Sequence, residues 1–363
     1  MNSKIKVLIV DDSALIRQML EQIINQSNDM EVVGSAADPY EAREKIKQLH
    51  PDVLTLDIEM PRMDGVTFLK NLMRLHPMPV VMISTLTEAG ADVTLECLAL
   101  GAVDFVTKPK IDVTNTLERY ASEIHRKINM ASRVRRSQLE RQYQRYTNGS
   151  QAPQMAHAHT SKSSSNSASN QTVGAIPKKL IAIGASTGGT EAIKEVLIRL
   201  PQDTAPIVIT QHIPAAFSLP FAQRMDRVSA MTVHHAEHGQ EILTGNVYIA
   251  PGDKHLVVES RGGRMFCSLN DGPPVNRHKP SVEVMFRSIL QNIQSKGVAV
   301  MLTGMGADGA KAMKELRDSG VKTITQDEKT SVVWGMPGEA HKIGAADFTM
   351  PLDAISQKVL DLL

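Results

Sequence analysis

The sequence predicts an α/β protein of two doubly wound domains with mainly parallel sheets. Three observations carry that reading. Short apolar runs alternate with helix-length segments over residues 1–130, and alternate again from residue 178 onward. Several of these runs end in residues able to do chemistry, as strands of open α/β sheets do at one sheet edge. Between the two series lies a segment, 147–175, dominated by serine, asparagine, alanine and glycine. Such a composition makes a flexible tether.

In the first series the candidate strands are 5–10, 31–35, 52–56, 79–84 and 103–106, and the candidate helices are 13–26, 39–49, 65–75, 88–99 and 113–129. Strand–helix alternation at this spacing implies a parallel sheet covered on both faces. Chain reach and right-handed crossovers leave the doubly wound form. The last helical pattern runs on through Tyr146 as a basic stretch, with Arg133, Arg135, Arg136, Arg141 and Arg145 against Glu140. It is expected to be a solvated extension of the final helix rather than a nucleic-acid contact, because no recognisable reading module follows it. As a coil, the tether spans roughly 30 Å root-mean-square, so one domain is free to dock on the other or leave it. His157 and His159 belong to its composition rather than to a metal site.

In the second series the strands are 180–185, 206–210, 247–250, 298–303 and 322–326, and the helices are 189–199, 216–228, 281–293, 308–319, 336–343 and 353–362. A hairpin is expected within 242–270, turning at Arg261-Gly262-Gly263. The predicted boundaries are therefore 1–130 for the first domain, 131–177 for the helical extension and linker, and 178–363 for the second domain.

A length of 363 residues allows two proper cores, and 42% hydrophobic with 22% charged residues is ordinary globular composition. A net charge of +1 gives no bulk attraction for nucleic acid or an acidic membrane. Two cysteines, Cys97 and Cys267, are too few for a disulfide framework and suit a reduced cytoplasm. The N-terminal apolar run stops at Asp11, too short for a signal peptide, and no apolar run reaches membrane-spanning length.

Asp11, Asp12 and Asp57 each follow an apolar strand. Three carboxylates at neighbouring strand ends repel one another unless a cation sits among them, and oxygen ligands of this kind suit Mg²⁺. A carboxylate beside Mg²⁺ is equipped to attack phosphorus and form an acyl phosphate. Ser84 ends the strand VVMIS and can donate to a phosphoryl oxygen; Lys108 ends the fifth strand and can pair with the anion. The bland reading, in which Asp11 and Asp12 merely cap a helix, does not account for D-D, D, S and K in order at four strand ends.

Gly184-Ala185-Ser186-Thr187-Gly188 fits G-x-S-x-G. A glycine turn before a helix either binds an anion on free amides, with Ser186 as one more donor, or presents Ser186 as a nucleophile with those amides in an oxyanion hole. A nucleophile needs a base and an orienter. His212 follows the strand PIVIT, and Asp308 follows VAVMLT through a glycine-rich turn. Parallel strands would bring Ser186, His212 and Asp308 to one sheet edge, and that coincidence favours a triad. Its order, Ser…His…Asp, is not that of the α/β-hydrolases.

Residues 4–128 resemble the response-regulator receiver domain, a flavodoxin-like fold. That resemblance implies phosphorylation of Asp57, Mg²⁺ held by Asp11, Asp12 and Asp57, phosphoryl sensing by Ser84 and Lys108, and a switch aromatic at Phe105. A cis Lys108-Pro109 junction is typical of that family. Residues 178–361, with GASTGG, QHIP, APGDKHL, PSVEVMF and LTGMGADGA, resemble the catalytic domain of the chemotaxis protein-glutamate methylesterases, the CheB family. The resemblance implies a phosphorylation-activated hydrolase that cleaves γ-glutamyl methyl esters on chemoreceptors and deamidates particular receptor glutamines. It implies Ser186 as nucleophile, His212 as general base and acid, Asp308 as orienter and the backbone around Met305 as an oxyanion contributor, with no cofactor for ester hydrolysis. It also implies a chemotaxis histidine kinase as phosphodonor, methylated chemoreceptor helices as substrate, and no nucleic-acid partner or membrane insertion.

One switch and one nucleophile on a tether lead to the expectation that the unphosphorylated first domain covers the Ser186 edge. Three alternatives remain at this point: a non-enzymatic regulator binding a ligand through the glycine turn, a DNA-binding regulator using the Arg133–Arg145 stretch, against which the lack of a reading module argues, and a hydrolase of another ester or amide. Among the other polar residues, His234, His235 and His238 are expected at a solvated strand end. His255 and His278 either line the cleft or are ordinary polar residues. Trp334 is expected to pack in the core or on the surface.

Overall fold

The first series of apolar runs folds as β1 (Ile5–Val10), α1 (Ala14–Asn25), β2 (Met30–Ala36), α2 (Pro39–Leu49), β3 (Val53–Asp57), α3 (Gly65–Leu75), β4 (Val80–Ser84), α4 (Glu88–Leu100), β5 (Asp104–Thr107) and α5 (Thr114–Ala131). This computed structural model describes residues 4–85, 87–108, 114–149, 179–293 and 297–363. The Lys108-Pro109 junction and most of the predicted tether lie outside the described residues. Strands β3 and β4 are buried at every position, as central parallel strands covered on both faces must be. Ser13, Asp38, Asp64 and Thr87 start the first four helices, each side chain accepting from a first-turn amide. All strand pairs are parallel, in the order β2-β1-β3-β4-β5. Strand order reverses between β1 and β3, so a crevice opens at their carboxyl ends.

The predicted helical extension is corrected. The chain breaks helix after Ala131 and folds back as a separate helix, α6 (Arg136–Gly149). The reason is an apolar stripe hidden among the arginines: Val134 and Leu139 are buried, and Tyr143 and Tyr146 pack against the core. Far from being solvated, α6 also reaches the second domain. Arg135 pairs with Glu328 at 3.0 Å, Gln138 donates to the Ser331 carbonyl at 2.5 Å, and Arg141 donates to the Lys329 carbonyl at 2.7 Å.

The second domain comprises β6 (Leu180–Ala185), α7 (Gly189–Leu197), β7 (Ile207–Gln211), α8 (Ala215–Asp226), β8 (Thr232–His235), β9 (Asn246–Ile249), β10 (His255–Arg261), β11 (Arg264–Asn270), α9 (Val282–Ile293), β12 (Gly297–Met301), α10 (Ala310–Asp318), β13 (Lys322–Gln326), α11 (Met336–Lys342), β14 (Phe348–Met350) and α12 (Leu352–Leu362). Seven strands form one parallel sheet in the order β14-β13-β12-β6-β7-β9-β8. Strands β10 and β11 form the predicted antiparallel hairpin, turning at Gly262-Gly263. The sheet winds outward in both directions from β6, whose neighbours are β12 and β7. Its switch point therefore lies beside the carboxyl end of β6.

The domains meet through one face of the first, built from α4, β5 and α5, and through α6. Helix α4 packs on α7 and α8. Phe105 of β5 is buried, its ring centroid 4.5 Å from that of Phe217 on α8. Cys97 and Cys267 are buried free thiols in different domains. Among the described residues, no helix is long and apolar enough to cross a membrane.

Candidate active site

Register places the three second-domain candidates together. Ala185 pairs with Gln211 across β6–β7, and Gly184 pairs with Met301 across β6–β12. The ladder continues one step past the strands: the His212 amide donates to the Ala185 carbonyl at 3.1 Å, and the Ser186 amide to the Thr303 carbonyl at 3.0 Å. Two glycines make this possible. Gly188 adopts φ 74, which ends the turn and starts α7. Gly304 lets the end of β12 approach closely; a Cβ there would lie 2.8 Å from the Ser186 Cβ. No side chain caps α7; the Gly189 amide donates to the Ser186 carbonyl at 2.7 Å, and the following first-turn amides, which have no intrahelical acceptor, point toward the Ser186 end of the helix.

His212 turns Nε2 to Asp308 Oδ2 at 2.9 Å and leaves Nδ1 buried without a partner among the described residues. His212 and Ser186, which is 7% exposed, line the same cleft. Asp308 is held from every side. Oδ2 also accepts from the Val282 amide at 2.7 Å, and Oδ1 accepts from Asn276 Nδ2 and Ser281 Oγ, both at 2.8 Å. Burial opposes ionisation, but the bonds from His212, Asn276 and Ser281 outweigh it and hold the carboxyl down at about 2. A folded-state pKa below the unfolded one gives stability that is complete above about pH 4 and lost as pH falls toward the folded value. The second-domain transition is expected to lose about 2 kcal/mol more over that interval in the wild type than in Asp308→Asn, measured by denaturant titration at each pH.

Two histidines left open by the sequence find distinct places. His278 stacks face to face on His212, with centroids 3.7 Å apart and planes at 7°. Burial, then the neighbouring His212, pushes its pKa down to about 4, so His278 is neutral at neutral pH. His255 is buried in a fixed tautomer: its Nδ1 accepts from the Ser281 amide at 3.1 Å, and its Nε2 donates to the Pro273 carbonyl at 3.0 Å. Met305 follows Gly304 and lines the groove beside Asp308 rather than the Ser186 cleft; Arg126 of α5 reaches its sulfur at 3.6 Å. Trp334 is structural, donating Nε1–H to the Gln326 carbonyl at 3.1 Å.

The histidines near β8 face separate partners and form no metal cluster among the described residues: His234 meets Asn246, His235 meets Ser218, and His238 accepts from the Leu269 amide. His234 and His235 are half-buried and hydrogen-bonded, so the expected solvated strand end is corrected for them.

In the first domain, Asp11, Asp12 and Asp57 bring one ligand atom each to within 4.8 Å of one another. Lys108 bridges Asp57 at 2.9 Å and Asp11 at 3.2 Å. One cation among three carboxylates leaves negative charge in excess. Burial raises the Asp57 carboxyl to about 6 despite Lys108, with the Asp11 charge adding to the rise. This donor set fits a divalent cation with oxygen ligands. Ser84 faces elsewhere: its Oγ lies 2.6 Å from Thr94 Oγ1 on α4. Phe105 lies in the domain contact, with Lys127 Nζ 5.0 Å from its ring centroid.

The same contact covers the nucleophile turn. Thr187, next in sequence to Ser186, donates its hydroxyl to Asp104 Oδ2 at 2.6 Å. Asp104 also pairs with Lys127 at 3.2 Å. What remains of the cleft, about 260 Å³, is lined by both domains.

A parallel sheet of order 2-1-3-4-5 with carboxylates in its crevice defines the class of phosphoacceptor receivers, here laid against a domain with a Ser–His–Asp edge. Residues 7–119 match the response regulator receiver domain, and residues 181–359 match the CheB methylesterase family. A protein-glutamate methylesterase/protein-glutamine glutaminase of Hydrogenovibrio crunogenus is 64% identical over 99% of each chain. One from Xanthomonas oryzae pv. oryzae is 52% identical over 100% of this chain and 98% of its own. The crystal structure of the Thermotoga maritima CheB methylesterase catalytic domain covers 51% of this chain and 98% of its own, at 38% identity and a TM-score of 0.50. The chain belongs to the CheB methylesterase family, with a receiver domain at its N-terminal side.

Proposed function

We propose that this protein is a phosphorylation-activated protein-glutamate methylesterase and protein-glutamine glutaminase acting on chemoreceptors in the cytoplasm. The observation that carries the reading is His212, bound to Asp308 through Nε2, with Nδ1 unpartnered among the described residues, in a residue that lines one cleft with Ser186. Ser186 Oγ attacks the γ-carbonyl of the methylated glutamate while His212 Nδ1 takes its proton. Asp308 keeps the ring in place and balances the imidazolium. The oxyanion is held by first-turn amides of α7 beyond Gly189 and by backbone around Met305. Collapse expels methanol, protonated by His212, and leaves an acyl-Ser186 ester. Water, deprotonated by His212, then releases glutamate and restores the serine. With glutamine, the leaving group is ammonia.

Asp57 is the phosphoacceptor in this reading, with a chemotaxis kinase as donor. Asp11, Asp12 and Asp57 would hold Mg²⁺, which neutralises phosphoryl charge when bound. Lys108, now shared by two carboxylates, pairs with the new anion, and Ser84 leaves Thr94 to donate to it. Both changes act on the α4–β5 face that docks against the second domain. Asp57→Asn is expected to keep basal methanol release from methylated receptor membranes but to lose its stimulation by a small-molecule phosphodonor. Stimulation persisting in that variant would remove Asp57 from the switch.

A further inference from the structure

We infer that Arg277, with Lys311 nearby, recognises a carboxylate on the substrate polypeptide close to the glutamyl ester being cleaved; this rests on the methylesterase reading above. Val275 and His278 exchange both backbone hydrogen bonds, at 3.0 and 2.9 Å, and close a two-residue turn. Both central residues are left-handed, Asn276 at φ 52 and Arg277 at φ 69. Such turns favour asparagine and glycine, and asparagine is present at the first position. At the second, arginine is sterically disfavoured. The turn is tied to the catalytic pair on both sides: Asn276 donates to Asp308, and His278 stacks on His212. Arg277 is thus fixed on the rim between them, exposed, and its guanidinium makes no hydrogen bond or ion pair among the described residues.

The neighbouring charges leave that cation uncompensated. Arg277 lines both the Ser186 cleft and a wider groove of about 850 Å³ that runs past Asp308 to Lys311. Lys311 is exposed and also lacks an ion pair among the described residues. The groove's carboxylates are already engaged, Glu283 with Arg287 and Glu339 with Lys342. In the closed arrangement, the receiver itself sends Asp104 and Glu123 into the cleft that Arg277 lines. Both acids are paired there with the receiver's own Lys127, at 3.2 and 3.0 Å, so Arg277 still lacks a carboxylate partner among the described residues.

The reaction makes such an occupant. Each turnover leaves a glutamate carboxylate on the polypeptide, so a segment with several sites becomes more acidic as it is processed. On a helix, side chains three or four residues apart lie about 5–6 Å from one another on one face. One such carboxylate reaches the rim while its neighbour's ester sits at Ser186.

The test uses the full-length protein, activated by a phosphodonor, on membranes bearing a chemoreceptor with one methylated glutamate. Glutamates three and four residues away are either kept or replaced by alanine. The wild type is expected to show a kcat/KM roughly fivefold higher on the acid-flanked receptor, expressed in KM and narrowed by salt. Arg277→Gly, which suits the left-handed backbone and preserves the turn, is expected to close that gap; Arg277→Lys is expected to keep part of it. Equal proportional losses on both receptors, or a gap that survives Arg277→Gly combined with Lys311→Ala, would overturn the inference. No methanol from either receptor with the wild type would overturn the esterase reading itself, and this inference with it.

Discussion

Ser186→Ala is expected to lower methanol release from methylated receptor membranes by at least about 10³-fold, because no other hydroxyl takes over the covalent step. The fold should survive. The turn is held by backbone bonds from Ser186 to Thr303 and from Gly189 to the Ser186 carbonyl, none of which needs the hydroxyl. Uptake of a phosphoryl group at Asp57 should be unchanged, since the two sites lie on different sheets. Measuring both on one preparation makes the outcome decisive. Turnover retained together with normal phosphorylation would remove Ser186 as nucleophile while leaving the receiver intact.

The second large effect concerns the cover. Residues 176–363 alone are expected to hydrolyse the ester roughly ten- to a hundredfold faster than the unphosphorylated full chain, and to ignore a phosphodonor. Docking worth about 1.4 kcal/mol holds ten chains closed for each one open, so a few such units suffice. The contacts available are of the right kind: Asp104 on Thr187, Phe105 on Phe217, and α6 on the 328–331 loop. Asp104→Ala should move basal activity the same way by a smaller factor, because the aromatic contact remains. If the isolated domain were no faster than the full chain, occlusion by the receiver would be wrong.

Much of this was legible in the sequence, for physical reasons that also set the limit. Buried parallel strands read as continuous apolar runs, so the sequence alone places Asp11, Asp57, Ser186, His212 and Asp308 at strand ends. The break before α6 escaped because arginines interleave with Leu139, Tyr143 and Tyr146, and charge count masked an apolar stripe. Strand β14 is only three residues long, below what alternation can reveal. Asn276, Ser281 and His278 come from a loop without periodicity, and their convergence on the catalytic pair is a tertiary fact. The Asp104–Thr187 contact is less legible still. A strand pattern says that Asp104 is near a sheet end, but not which surface that end will meet.

The order of strands in the second sheet has a consequence for synthesis. Ser186 and His212 lie on neighbouring strands made in succession, but Asp308 follows β12, which inserts on the far side of β6 only after the hairpin and α9 have emerged. A nascent chain therefore carries a serine and a histidine without the carboxylate that orients them. The receiver is translated earlier, and N-terminal domains fold first on the ribosome. The guard is complete before the blade it sheathes, and at no stage of its making is the newborn enzyme both armed and unattended.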